Sequence, residues 1–331
     1  MANRLTTDDY VKGVLADDRR MLAKTITLIE SNLQADRTLA GEVLEQLLPH
    51  TGNAVRLGIT GVPGVGKSVF IETFGTFLTQ QNQRVAVLAV DPSSARSGGS
   101  VLGDKTRMEK LSADPMAYIR PSPSGKTLGG IAAKTRESML ICEAAGFDVI
   151  IVETVGVGQS ETTVAAMVDF FLVLMLAGAG DELQGIKKGI IELADAIAVT
   201  KADGENLEPA EKAKKTYETA LHMLSPQTSV WHPPVLVCSA FAGRGISEIW
   251  ETIVSHRKAL KKAGAFDVKR RKQAIQWMWG ILDAGIKEKF LAMPEIQEQL
   301  PKITAQVEKG GITATRGADQ LLFYLDKRLK I

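Results

Sequence analysis

Apolar positions along the chain fall into three regimes. From about Thr7 to His50 they recur at helical spacing, first as Val11, Val14, Leu15, Met21, Leu22, Ile26 and Ile29, then as Leu39, Val43, Leu44, Leu47 and Leu48. This spacing predicts two helices that form a cap, residues 1–50, carrying no chemical motif. From Val55 short apolar runs alternate with longer helical segments, which predicts strands near 54–60, 84–90, 117–120, 148–153, 170–176, 196–200 and 235–238. Such alternation implies an α/β fold with a mainly parallel, doubly wound sheet and right-handed crossovers, residues 51–256. Beyond about Val254 the helical period returns, and residues 257–331 form a third region. There Ile275, Met278, Trp279, Leu282 and Ile286 share one helix face, with Trp277 adding a second large surface. A core face is the first expectation, but an extended arm has little of its own chain to bury against, so the pattern predicts a homodimerisation arm.

Composition narrows this picture without redirecting it. A net charge of +2 is too mild to argue for nucleic acid or an anionic membrane surface. The basic run Lys258, Lys261, Lys262, Lys269, Arg270, Arg271 and Lys272 has no interleaved aromatic residues and reads as a solvated helix face. No apolar segment is long enough to span a bilayer, and the amino-terminal residues lack a signal-like core. Cys142 and Cys238 lie far apart and in no metal-binding spacing, which suggests reduced thiols in a cytoplasmic protein.

The chemistry concentrates where the first predicted strand ends. Gly61, Val62, Pro63, Gly64, Val65, Gly66, Lys67, Ser68 and Val69 contain the spacing G-x-x-x-x-G-K-S between a strand and a helix. Glycines let backbone N–H groups turn onto phosphate oxygens, Lys67 supplies a point charge, and the Ser68 hydroxyl can ligate Mg²⁺. Ligands of a parallel sheet gather at the carboxyl ends of its strands, so the acids just past those ends, Asp91 and Glu153, are candidate Mg²⁺-site residues. Glu153-Thr-Val-Gly156 occupies the place of the D-x-x-G motif, and Gly156 could sense a γ-phosphate. Val157 follows where a water-orienting glutamine is common and Gln159 lies further on, which predicts slow intrinsic hydrolysis.

Base choice is written in Thr200-Lys201-Ala202-Asp203. The Asp203 carboxylate can accept from both guanine donors, and adenine offers neither in that arrangement. Ser239, Ala240 and Phe241, after the next strand, complete the predicted base site. Thr200 replaces the commoner asparagine, which predicts the loss of a brace on the phosphate loop and lower rigidity.

Four longer stretches carry a resemblance: Asp91 to Met108, Arg120 to Gly130, Glu153 to Glu161 and Gly178 to Gly189. Together they resemble the MeaB/ArgK subgroup of the SIMIBI-class P-loop GTPases, over about residues 10 to 331. That subgroup includes the human methylmalonic aciduria type A protein, and the bacterial MeaB proteins are the better match. The resemblance implies a GTPase chaperone that binds GTP/GDP and Mg²⁺ and associates with methylmalonyl-CoA mutase. It would gate loading of adenosylcobalamin, which belongs to the mutase, and protect that enzyme from inactivation. It also implies that Ser68, Asp91, Asp104 and Glu153 form the Mg²⁺ and phosphate-sensing site. Residues 104–108, 156–161 and 178–188 would be switch loops, the third answering to the mutase. Gln184, Lys187 and Arg107 would then stabilise charge developing during partner-stimulated hydrolysis. Two other classes use related chemistry: a nickel or zinc metallochaperone GTPase, and a kinase passing phosphate to a small molecule or transporter.

Overall fold

The computed structural model describes residues 4–90, 108–121, 128–154, 160–177, 188–224 and 230–329. The chain divides into two compact units, Met1–Gln273 and Ala274–Ile331. Among the described residues of the first unit seven strands, β1 (Val55–Gly61), β2 (Val85–Val90), β3 (Ala117–Arg120), β4 (Val149–Thr154), β5 (Phe170–Leu176), β6 (Ala196–Thr200) and β7 (Val235–Val237), form one sheet. Their order is β3-β2-β4-β1-β5-β6-β7, and every pairing is parallel. β1 is the central strand and all seven of its residues are buried. Because β4 and β5 flank it, the carboxyl ends of these three strands lie side by side, at the switch point where ligands bind in open parallel sheets.

Helices cover the sheet because the crossovers between parallel strands demand them. Helix α4 (Lys67–Gln80), which follows β1, buries Phe70, Ile71, Phe74 and Leu78 against the sheet. Phe70 and Phe74 stack at 5.6 Å, and Trp250 meets Phe74 edge-on at 6.3 Å.

Three amino-terminal helices precede the sheet where the spacing predicted two: α1 (Thr7–Leu15), α2 (Arg19–Glu30) and α3 (Gln34–Leu47). The break has a local cause. Asp17 adopts φ +61°, and the Asp18 carboxylate caps the next helix by accepting from the N–H groups of Arg20 and Met21 at 2.8 and 3.2 Å. Arg19 donates to the carbonyls of Pro115 and Ala117 at 2.6 Å each, and Arg120 pairs with Glu30, so α2 covers the exposed edge of β3.

Four short or connecting helices, α5 (Glu109–Ala113), α6 (Leu128–Ala144), α7 (Ser160–Ala165) and α8 (Lys188–Ile191), lead to α9 (Leu207–Leu224), α10 (Ile246–Lys262) and α11 (Ala265–Leu291). The basic run is only partly a solvated face. Arg270 pairs with Asp169 at 2.6 Å and donates to the carbonyls of Gly52 and Ala54, while Lys269 donates to the carbonyl of Asp169 at 2.7 Å. Two of the cations therefore turn inward, because the amino-terminal ends of the strands present unpaired carbonyls and a buried carboxylate there. Beneath them Arg56 and Glu143 form a buried bidentate pair at 3.0 and 2.8 Å.

The second unit contains the later part of α11 with α12 (Pro294–Glu308) and α13 (Ala314–Leu329). Ile296 and Ile303 of α12 are buried. The face carrying Ile275, Met278, Trp279, Leu282 and Ile286 is not a core face: each of the five is between 44% and 56% exposed.

Candidate functional site

β1 delivers the chain to the site at Gly61. A Cβ there would lie 2.6 Å from the carbonyl oxygen of Leu174 on β5, so only glycine lets the strand leave the sheet at this point. Gly66 adopts φ +90° and forms the amino-terminal cap of α4. Helix α4 therefore begins at Lys67, with its first N–H groups free of intrahelical partners and its positive dipole end turned to the loop. Val65 packs into the core at 1% exposure and Val62 lies partly buried against it. Pro63 and Gly64 are exposed at the tip, and Val69 is half exposed on the first turn of the helix.

Lys67 lies back across the loop it belongs to. Its ammonium donates to the carbonyl of Gly61 at 2.8 Å and to that of Val62 at 3.4 Å. Burial pulls it below the ordinary lysine value, and the charges of Glu153 and Glu161 oppose that pull. Glu161, on α7, is fully buried; the resemblance put it at the end of a switch loop without giving its carboxylate a role.

Ser68 and Glu153 lie together, the Ser68 hydroxyl donating to Glu153 Oε1 at 3.3 Å. This is an all-oxygen pair, partly buried beside a phosphate loop, and its donor set suits Mg²⁺. Behind it the Thr154 hydroxyl donates to that of Thr60 at 2.7 Å, joining the ends of β4 and β1. Asp91, Asp104, Arg107, Gly156, Gln159, Gln184 and Lys187 lie outside the described residues.

The base side is a set of interlocked turns. Lys201 follows β6 with φ +56°, and its Cε lies 3.9 Å from where a Cβ on Gly66 would stand, so its stem runs along the phosphate loop. The Asp203 carboxylate accepts from the fully buried Ser239 hydroxyl, which in turn accepts from the N–H of Ala242 at 3.1 Å. Ser239 and Arg244 exchange backbone hydrogen bonds of 2.9 and 3.0 Å across this turn, which carries Phe241 at 95% exposure. Thr73 of α4 donates to the carbonyl of Ala240 at 3.2 Å and ties the turn to the phosphate-loop helix.

Thr200 departs from expectation. Its hydroxyl donates to the carbonyl of Val65 at 2.9 Å and lies 3.2 Å from that of Met175, so the base loop still braces the phosphate loop. A β-branched hydroxyl thus supplies a brace on the phosphate loop where the missing amide predicted none. Asn206 and Arg244, which also bind this loop's backbone, carry no motif signature in the sequence.

Fold and loop chemistry together place the chain among the P-loop GTPases. A family model described as the methylmalonyl-CoA mutase-associated GTPase MeaB matches residues 22–295. A Caulobacter vibrioides protein named as a GTPase is 50% identical over 322 residues, covering 97% of this chain and 98% of the relative. The mouse mitochondrial methylmalonic aciduria type A homolog is 46% identical over 325 residues, covering 95% and 78%. The crystal structure of a LAO/AO transport system kinase superposes with a TM-score of 0.80 at 37% identity, covering 98% of this chain and 99% of that one. The chain belongs to the MeaB family of GTPases, and its activity is GTP hydrolysis.

Proposed function

We propose that this GTPase is a chaperone of an adenosylcobalamin-dependent methylmalonyl-CoA mutase, gating the loading of the cobalamin cofactor and protecting the mutase from inactivation. The observation that carries this reading is the family match over residues 22–295, whose description names the mutase association. The relationship to the methylmalonic aciduria type A homolog supports it.

In this reading the phosphate-loop N–H groups and Lys67 hold the β- and γ-phosphates, and Asp203 with the Ser239–Phe241 turn holds guanine. Mg²⁺ would be held by Ser68 with Glu153, Asp91 and Asp104, and when bound it neutralises charge on the phosphate oxygens. Lys67 gives up the Gly61 and Val62 carbonyls for phosphate oxygens, an exchange favoured because its burial already costs it hydration. Gly156 senses the γ-phosphate and Gln159 serves water positioning. Arg107, Gln184 and Lys187 stabilise developing charge when the mutase docks. The protein works in the cytoplasm, where its two free thiols stay reduced.

A homodimer completes the reading. Five exposed apolar side chains on one face of α11, Ile275, Met278, Trp279, Leu282 and Ile286, are the pattern a second copy would cover. Sedimentation should show a dimer that Trp279→Asp converts to monomer, and a wild-type mass that stays monomeric at all concentrations would remove the dimer.

The partnership is tested by incubating the purified protein with a cobalamin mutase and either a non-hydrolysable GTP analogue or GDP. Nucleotide-dependent retention of the mutase and faster GTP hydrolysis are expected. Absence of both would overturn the chaperone reading while leaving the GTPase intact. The likeness to a protein named as a transport system kinase favours a second reading, phosphate transfer to an acceptor molecule. Appearance of labelled phosphate on a protein or small molecule, rather than in solution, would support it.

A further inference from the structure

We propose that Asn206 and Arg244 are positioning residues for guanine recognition, holding the Lys201–Asp203 backbone in its base-binding conformation. Three consecutive carbonyls of that loop are each bound. The Asn206 side-chain amide donates to the carbonyl of Lys201 at 2.6 Å. The Arg244 guanidinium donates to the carbonyl of Ala202 at 3.0 Å. The Asn206 backbone N–H donates to the carbonyl of Asp203 at 3.0 Å.

Lys201 sits in the left-handed region at φ +56°, a conformation that a residue with a Cβ holds only when its surroundings impose it. Its carbonyl is consequently turned out of the strand direction, and Asn206 supplies the donor that meets it. One residue further on, Ala202 donates its N–H to the carbonyl of Cys238 at 3.1 Å while Arg244 holds its carbonyl, so the peptide units on both sides of Ala202 are each held by one bond. The remaining freedom belongs to the Asp203 side chain, which Ser239 fixes. Asp203 therefore presents a preset carboxylate edge, and discrimination among purines follows from that preset because a misplaced carboxylate cannot meet two donors at once.

The inference rests on the assignment of Asp203 to the guanine base, and the test separates the two. Binding of GDP and IDP is measured by calorimetry for the wild type, Asn206→Asp, Arg244→Gln and Asp203→Asn. Hypoxanthine keeps the ring N–H but lacks the exocyclic amine, so the GDP-to-IDP affinity ratio reads the second hydrogen bond to the carboxylate. Asn206→Asp keeps the side-chain shape but replaces the donating amide with an acceptor, and Asn206→Ser, which restores a donor, should recover part of the loss. The expected result is a GDP affinity lowered about three- to tenfold with a shrunken GDP-to-IDP ratio in both loop variants, and a GTP KM that rises while kcat holds. A ratio that stays at the wild-type value in Asn206→Asp and Arg244→Gln, while Asp203→Asn collapses it, overturns the positioning role alone. A ratio unmoved by Asp203→Asn overturns the base-site assignment and the inference with it. Should Asn206→Asp fail to fold, Arg244→Gln decides the matter by the same ratio.

Discussion

Thr200→Val is the sharpest probe of how the two halves of the nucleotide site are joined. It exchanges one hydroxyl for a methyl of nearly the same shape at a position 4% exposed, and so removes the bond to the Val65 carbonyl with little change in packing. A hydroxyl has one proton, and the 2.9 Å contact to Val65 outcompetes the 3.2 Å contact to Met175. Leaving a buried carbonyl without its donor costs about 1–3 kcal/mol. At the roughly 2–4 °C per kcal/mol typical of large domains, the melting temperature should fall by about 2–12 °C. Because the freed carbonyl belongs to the phosphate loop, part of the cost reappears in binding, and GDP affinity should drop about tenfold, equivalent to ~1.4 kcal/mol. The same factor should apply to IDP, since the brace lies on the phosphate side and leaves the Asp203 edge untouched. Thr200→Ser keeps the hydroxyl and should retain nucleotide affinity while losing some stability to the missing methyl. Thermal melts and calorimetric titration measure all of these. If Thr200→Val melted like the wild type and bound GDP equally well, the hydroxyl would be no brace, and the link between the loops would lie elsewhere.

Glu153→Gln should lower GTP hydrolysis by on the order of a hundredfold or more and flatten its dependence on added Mg²⁺; an unchanged Mg²⁺ titration would dissociate Glu153 from the metal. Glu143→Ala strands Arg56 at a site where both side chains are almost fully buried, and should destabilise the protein by about 3–5 kcal/mol in chemical denaturation. A shift under ~1 kcal/mol would mean that water reaches the guanidinium. Burial pushes the thiols of Cys142 and Cys238 up to about 12, so roughly one thiol in ten thousand is ionised at pH 8. Both should resist a thiol-specific reagent in the native protein and react at once in denaturant; rapid native labelling would contradict their burial.

Local spacing made the phosphate loop and the base motif legible, because both are runs of consecutive residues whose backbone geometry does the chemistry. Gly61, Gly66, Lys67, Ser68 and the Thr200–Asp203 run stand in the structure as their order dictates, and the strands follow their apolar runs within a residue or so. Asn206 and Arg244 were not legible. Each binds a backbone carbonyl, an acceptor every residue possesses, so no pattern of side-chain types marks the partner. Thr200 differs from expectation for the opposite reason: the amide of the commoner asparagine is missing, but the Val65 carbonyl is still there to be met, and a hydroxyl meets it. The face of α11 was legible as a face, since periodicity fixes which residues share a side, yet periodicity is silent on whether a side is covered.

The basic run shows how distance along the chain hides a role. Lys269 and Arg270 look like their solvated neighbours because their acceptors lie about a hundred residues away, at the start of β5. Asp169 immediately precedes β5 and Asp195 immediately precedes β6; Arg270 holds the first, and Lys269 and His256 lie 3.4 and 3.5 Å from the second. His256 can occupy that place because its ring is buried edge-on to Phe170 and Trp231, each at a centroid distance of 5.0 Å. At their other ends the same two strands reach the nucleotide loops. The Leu174 carbonyl on β5 abuts Gly61, and Thr200 on β6 bonds Val65. The root of α11 and the phosphate loop therefore share two rigid strands of seven and five residues. A charge pattern cannot report this, because what distinguishes these two cations is the sheet topology that brings strand ends to them.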